Sequence, residues 1–463
     1  NTAEIYADRM TSRTYYISEK NGNDENDGKS PETAWKTISA LSKIRLVKQG
    51  KLVVLFERGG IYRGSISAAN NAIYGSYGEG SKPILMQSKK NYADPSLWEE
   101  TEWENVWKST DMLKNVGVIG FDHDLFDYSD DSYHELYGNI MNKGNYGFKG
   151  PADLKEDLQF YSELQNNDVQ SLGPVYLYCE GGNPGTRFKS IEMGERTNIF
   201  SGAWEGTIFD NLSLKFTGAH GIGLGTIRNI TVTNCVFSWL GGSVLKYNSD
   251  GDYAVNYGNA VESYGGCNGY HVENNWMYQI YDTAVTHQRS SSTGDCRQEN
   301  IQYIGNLMEY VHWGIEFYNS PPSKADLAGG KQDTWTRYTK DVHHAYNVLR
   351  MGGYGWGSLT RFRTSAARLY CGSTLSDNSD ELAEYNIYDR CGGYLLNLPA
   401  NANEVQDKNI YIQTLGCTLG ALRGTAYTCD YDAARLIRDV WGDKNAVTIV
   451  IDPDREDPTQ YRI

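Results

Sequence analysis

The sequence predicts an all-β fold wound as a parallel β-helix, and three observations predict it. The first is a repeat. Asparagine recurs at Asn211, Asn234, Asn275, Asn306, Asn347 and Asn386, with Gln413 in a seventh place and apolar or aromatic residues beside each. The steps between markers are 23, 41, 31, 41, 39 and 27 residues. The shortest suit a bare coil, and the longer ones a coil carrying a loop. The second observation is a turn position seven residues after each marker, at Gly218, Gly241, Asp282, Trp313, Tyr354, Gly393 and Gly420. The third is composition, since 49 glycines and 13% aromatic residues fit short strands and turns. Self-similarity of this period means a solenoid whose units contact only their neighbours. An inward asparagine explains the marker, because its amide can bond a turn backbone and the same amide one coil away.

The elements follow in order. Residues 14–18 (TYYIS) read as a first strand, and NGNDENDGKSP at 21–31 as a turn. Ser30 as N-cap and Pro31 at the first helical position predict a helix with Ala34, Trp35, Ile38 and Leu41 on one face, which would plug the open end. KLVVLFERGG (51–60), IYRGSIS and AIYGSYG read as the first coils. From 91 to 205 the periodicity lapses, and strands such as VGVIGF (116–121) and PVYLYC (174–179) predict an antiparallel insertion. The main coils run over 206–426, and 427–463 form a cap of one helix (DYDAARLIRDVWG) and a last strand (AVTIVID). Residues 1–90 are the corresponding N-terminal cap and first coils.

Charge and cysteines narrow the function. The net charge of −15 argues against nucleic acid and anionic membranes as partners, and no apolar run reaches the length of a membrane span. The eight cysteines form no CxxC pair, so a zinc site is not expected. Cys267 with Cys296, and Cys417 with Cys429, are disulfide candidates, and packed free thiols are the alternative. The cluster Asn23, Asp24, Asn26 and Asp27 has oxygens for a structural calcium ion. A solvated Asx turn is the expectation, because no bidentate glutamate sits at loop spacing. No metal or other cofactor is predicted. The 35 tyrosines and 11 tryptophans exceed what a core needs and suit stacking on sugar rings. A start at Asn1 fits a mature protein after signal removal, and a secreted, periplasmic or surface-bound monomer is expected.

Chemistry is expected where three strands superpose on their turn positions: AVESY (260–264), AVTHQ (284–288) and GIEFY (314–318). Alternation sends Val261, Val285 and Ile315 inward, so Glu262, Thr286 and Glu316 face out. Tyr264, Gln288 and Tyr318 do so two residues later. Glu262 and Glu316 then share one stripe two coils apart, their backbones separated by roughly 9.6 Å. That suits an inverting glycosidase, whereas a tighter pair of Glu262 with Asp282 would suit a retaining one. Long insertions at 243–258, 289–300, 319–340 and 358–380 would wall a groove lined by Tyr264, Trp313, Tyr318 and Trp356. Gln288 is a partner for a sugar hydroxyl, and His287 is a binding candidate that strict alternation would instead turn inward. Arg361 and Arg363 would clamp a carboxylate.

The stretches TYYISEKNGNDENDGKSPETAWKTISAL, VLFERGGIYRGSI and YGSYGEGSKPIL resemble the secreted right-handed parallel β-helix proteins of the pectate-lyase-like superfamily. LQFYSELQNNDVQSLGPVYLYCEGGNPGTRFKSIEMG (158–194), followed by TGAHGIGLG, resembles the β-helix glycoside hydrolases that include β-xylosidases and α-L-fucosidases. The resemblance covers about residues 14–426 and implies two carboxylates on neighbouring coils of one sheet. It lays them on Glu262, Asp282 and Glu316. A glycoside hydrolase acting on a plant or host glycan is therefore expected, with Glu316 as acid and Glu262 as base. The alternatives are a polysaccharide lyase using Lys246, His287, Arg361 or Arg363, and a non-catalytic glycan-binding β-helix.

Overall fold

The computed structural model describes residues 1–44, 51–126, 148–247, 254–290, 294–321, 335–360, 367–372, 375, 379–398 and 403–454. Three sheets of ten strands dominate it, and all but one pairing within them is parallel. Successive strands step from the first sheet to the second and third and then begin the next coil, as Ile208–Asp210, Ser213–Thr217 and Ile222–Leu224 do. This is the predicted parallel β-helix. Val261, Val285 and Ile315 are fully buried in one continuous core, as alternation predicts.

The amide ladder exists, in a register that departs from the sequence reading at both ends. The backbone N–H and side-chain amide of Asn275 both donate to Asn306 Oδ1, each at 3.0 Å. Asn306 repeats this toward Asn347, Asn347 toward Asn386, and Asn386 toward Asn409. Each amide also donates to a strand carbonyl, as Asn306 does to Val272 at 2.8 Å. Asn211 and Asn234 stand one residue earlier, in left-handed backbone conformations at φ 59° and 54°. That position belongs to Asn274 in the next coil, and Leu212 and Cys235 occupy the ladder site itself. Asparagine tolerates a left-handed turn, so one residue type marks two adjacent positions. Gln413 is outside the column, donating to the carbonyls of Cys391 and Thr418. The ladder ends instead on Asp443, which accepts the backbone and side-chain N–H of Asn409.

The N-terminal plug differs locally from its prediction. Ser30 caps as expected, but two 3₁₀ turns, Pro31–Thr33 and Ile38–Lys43, replace one α-helix. Between them Trp35 pairs with the strand Thr14–Ile17, its N–H bonded to Tyr16 and its carbonyl to Ser18. Trp35 and Ile38 still close the core. Asp27 Oδ1 accepts the N–H of Lys29, as an Asx turn does, and the hydroxyl of Thr33, while Asp24 accepts from Lys36 and Thr37 across the loop. At the other end a short helix, Ala433–Leu436, runs into the turn Ile437–Trp441, placing Trp441 on the last coil above Gly420. Val447–Ile451 adds the final second-sheet strand.

Residues 98–195 carry the antiparallel strands, with their own small core around Phe160, Leu177 and Met193. They lie against the outer face of the second sheet through Val118, Phe216 and Trp239. The approach is close. A Cβ on Gly117 would stand 2.4 Å from the carbonyl oxygen of Gly241, so glycine is required there. All eight cysteines are free thiols, including both candidate disulfide pairs.

Candidate functional site on the third sheet

Connections between the first and second sheets are tight turns built on the ladder. Beyond the N-terminal plug, the long insertions instead leave or enter the third sheet: 98–195 and 241–260 before it, 290–295 and 320–336 after it, and 353–367 before it again. The third sheet is thus the one whose strands these insertions flank along the chain.

Strand pairing sets the rows on the floor formed by its outer face. Gly223, Glu262, Thr286, Glu316, Cys371 and Asn397 stand in register across successive strands. Tyr264, Gln288 and Tyr318 form the adjacent row. A third row runs Thr283, Trp313, Arg368 and Tyr394. Glu262 and Glu316 thus stand two strands apart with Thr286 between them, whose hydroxyl is buried without a hydrogen-bond partner. Two strand spacings of about 4.8 Å separate the glutamate backbones by roughly 9.6 Å.

Glu262 is gripped by donors: Asn259 Nδ2 and Gln288 Nε2 both donate to its Oε2 at 2.7 Å. His220 Nε2 lies 3.4 Å from the other oxygen. The tautomer follows from the remaining ring nitrogen, because Nδ1 accepts the backbone N–H of Asn259 at 3.0 Å. Nε2 therefore carries a hydrogen and aims it at Glu262. Glu316 receives the hydroxyl of Thr283 at 3.2 Å, an uncharged donor. Tyr318 reports how closely the acids gather. Its hydroxyl pKa is driven far up by burial first, then by Glu316, Tyr264, Glu262 and Asp282. Asp282 belongs to the same neighbourhood, with its backbone N–H bonded to Gly258 and its carbonyl to Trp313.

The other predicted residues divide. Tyr264 is 37% exposed and shares a hydrogen bond with Ser290 Oγ, and Trp313 and Tyr318 are partly exposed on the floor. Gln288 is 7% exposed and turned to Glu262, so it positions the carboxylate. His287 is inside the solenoid, fully buried, stacked on Phe317 and bonded through Nδ1 to Tyr303. Burial lowers its pKa to about 3, and as a neutral core residue it is removed from the list of binding and lyase candidates. Trp356 is likewise removed. It packs on the outer face of the second sheet against Tyr281, and its indole N–H donates to Gln279 O at 2.7 Å. Arg361 and Arg363 lie outside the described residues. His220, Asn259, Arg368 and Asn397 were not anticipated. TGAHGIGLG carried a resemblance but no carboxylate, and RLYCG lacks the small–branched–acidic pattern that marked the other strands.

No known family model and no curated protein matches the chain in sequence. Several solved structures are similar to it. XylC in complex with xylose has 11% identity over 95% of this chain and 82% of that one, at a TM-score of 0.41. A protein described as a glycoside hydrolase has 10% identity over 96% and 97%, at 0.42. A family GH136 lacto-N-biosidase from Eubacterium ramulus has 11% identity over 95% and 68%, at 0.39. The parallel β-helix itself rests on this chain's own strand pairing.

Proposed function

We propose that the chain is an extracellular glycoside hydrolase that cleaves a plant or host glycan on the outer face of its third sheet. The observation that carries this reading is the row Glu262–Thr286–Glu316, which sets two carboxylates two strands apart on one face. Glu262, held in place by Asn259 and Gln288 with His220 beside it, is the base that takes a proton from water. Glu316, two strands away on the same row, is the acid that protonates the departing oxygen. A gap of two strands leaves room for a water, since inverting enzymes hold their carboxyls about 6.5–9.5 Å apart. Tyr318, close to both acids, remains protonated and donates a hydrogen bond to the sugar, and Trp313 and Tyr264 supply stacking faces.

A glycan screen with mass analysis tests the reaction class. Hydrolysis adds one water to the products, whereas β-elimination leaves unsaturated sugars that absorb in the ultraviolet. Unsaturated products would sink the hydrolase. Proton NMR of the first-formed sugar then reads the anomer: inversion is expected, and retention would transfer the role of partner acid from Glu316 to Asp282.

A further inference from the structure

One strand beyond Glu316, the same floor carries a cation that forms no ion pair among the described residues. Arg368 stands between Trp313 and Tyr394 on the flanking strands, with its guanidinium carbon 5.1 Å and 5.9 Å from their ring centroids. Rings on both sides hold the planar group in one orientation. Its hydrogen bonding is poorly matched. Nη1 donates to Cys371 Sγ at 3.2 Å, and the buried Nε–H has no acceptor. Asn397 directs its Nδ2 at the same sulfur, at 3.9 Å. A guanidinium offers five N–H donors in a fork, whereas a thiol is a weak acceptor. That thiol is not an anion either, because burial keeps Cys371 up at about 11 despite the neighbouring Arg368. Cys371 pairs with Glu316 on one side and Asn397 on the other, so these donors continue the catalytic row.

We propose that Arg368 and Asn397 form a subsite for the carboxylate of an acidic sugar, bound one strand past Glu316. The sugar would occupy the leaving-group side of the bond, next to the acid that protonates it; only that last placement rests on the hydrolase reading. The carboxylate would take the fork of Arg368, and the aromatic rings would flank the sugar.

Equilibrium binding tests this without turnover, using calorimetry on the full chain at low salt with glucuronate, galacturonate, glucose, galactose and glucose 6-sulfate. At least one uronate is expected to bind about tenfold or more tighter than its neutral counterpart. Arg368→Gln should erase that preference while leaving neutral-sugar affinity in place. Asn397→Ala, a milder change, should reduce it severalfold and keeps the test alive if the arginine variant fails to fold. Equal binding of acidic and neutral sugars overturns the proposal. So does a preference that survives Arg368→Gln, or tighter binding of glucose 6-sulfate than of glucuronate. A uronate preference without any cleavage would support the subsite and sink the hydrolase reading.

Discussion

The amide ladder and the carboxylate row are both columns of residues stacked along one solenoid, yet they are built on opposite rules. In the ladder, four coils repeat Asn275, Asn306, Asn347 and Asn386 with the same bonds at 2.9–3.1 Å. In the row, no residue occurs at two neighbouring positions: Gly223, Glu262, Thr286, Glu316, Cys371 and Asn397 follow one another. Repetition satisfies buried backbone groups at low cost in design, because each coil solves the same problem. A reacting site needs unlike groups in fixed places, and the solenoid supplies the spacing while sequence supplies the difference. The loops respect this division, flanking the third sheet and sparing the ladder turns.

The largest effects should separate the two columns cleanly. Glu262→Gln and Glu316→Gln are each expected to lower turnover by about 10²–10⁴-fold, with a urea midpoint close to that of the parent. Substantial turnover in both variants would return the row to an ordinary solvated strand face. Asn306→Ala should do the reverse. It strands the N–H of Asn275 and the carbonyl of Val272 in the interior, costing about 2–5 kcal/mol in urea unfolding, while the activity of the folded fraction is unchanged.

A third buried column sharpens the contrast through pH. Glu381 and Glu404 pair across the first sheet. Burial pushes both up, Glu404 to about 8, and the charge of Glu404 adds to the rise at Glu381. Such a carboxyl keeps its proton longer folded than unfolded. Its stabilising contribution is thus full below an unfolded value of about 4.3 and is lost as pH rises through 8. Glu404→Gln should flatten that decline, read as urea midpoints at points across the window. An unchanged slope would place the titration elsewhere. The smallest expected effect is at Gln288. Replacing it with Ala removes one of the donors on Glu262 and should lower turnover about tenfold, which corresponds to about 1.4 kcal/mol. No loss would leave Asn259 and His220 as the groups that hold the carboxylate.

Much of this was legible because it is local. The strand parity that buries Val261, Val285 and Ile315 and exposes Glu262 and Glu316 is a property of the backbone alone. The pairing Val261–Val285–Ile315 emerges in the register that the turn positions predicted. His287 shows the limit of composing a site from residue types. It was named for its chemistry, while its place in the alternation already put it inside. Asn211 and Asn234 show another limit, since a left-handed turn and an inward amide both select asparagine, and only strand pairing tells them apart.

By itself, the sequence determined the repeat, the parity of each strand and the residues offered to the outer face, because periods of two and of one coil are written in neighbouring residues. Tertiary structure decided which distant groups meet. His220 reaches Glu262 across 42 positions, Trp356 is drawn onto the second sheet, and Arg368 is set between Trp313 and Tyr394. Those meetings depend on how far each insertion carries the chain before the next coil begins. Insertions here have no common length, so no period in the sequence encodes them.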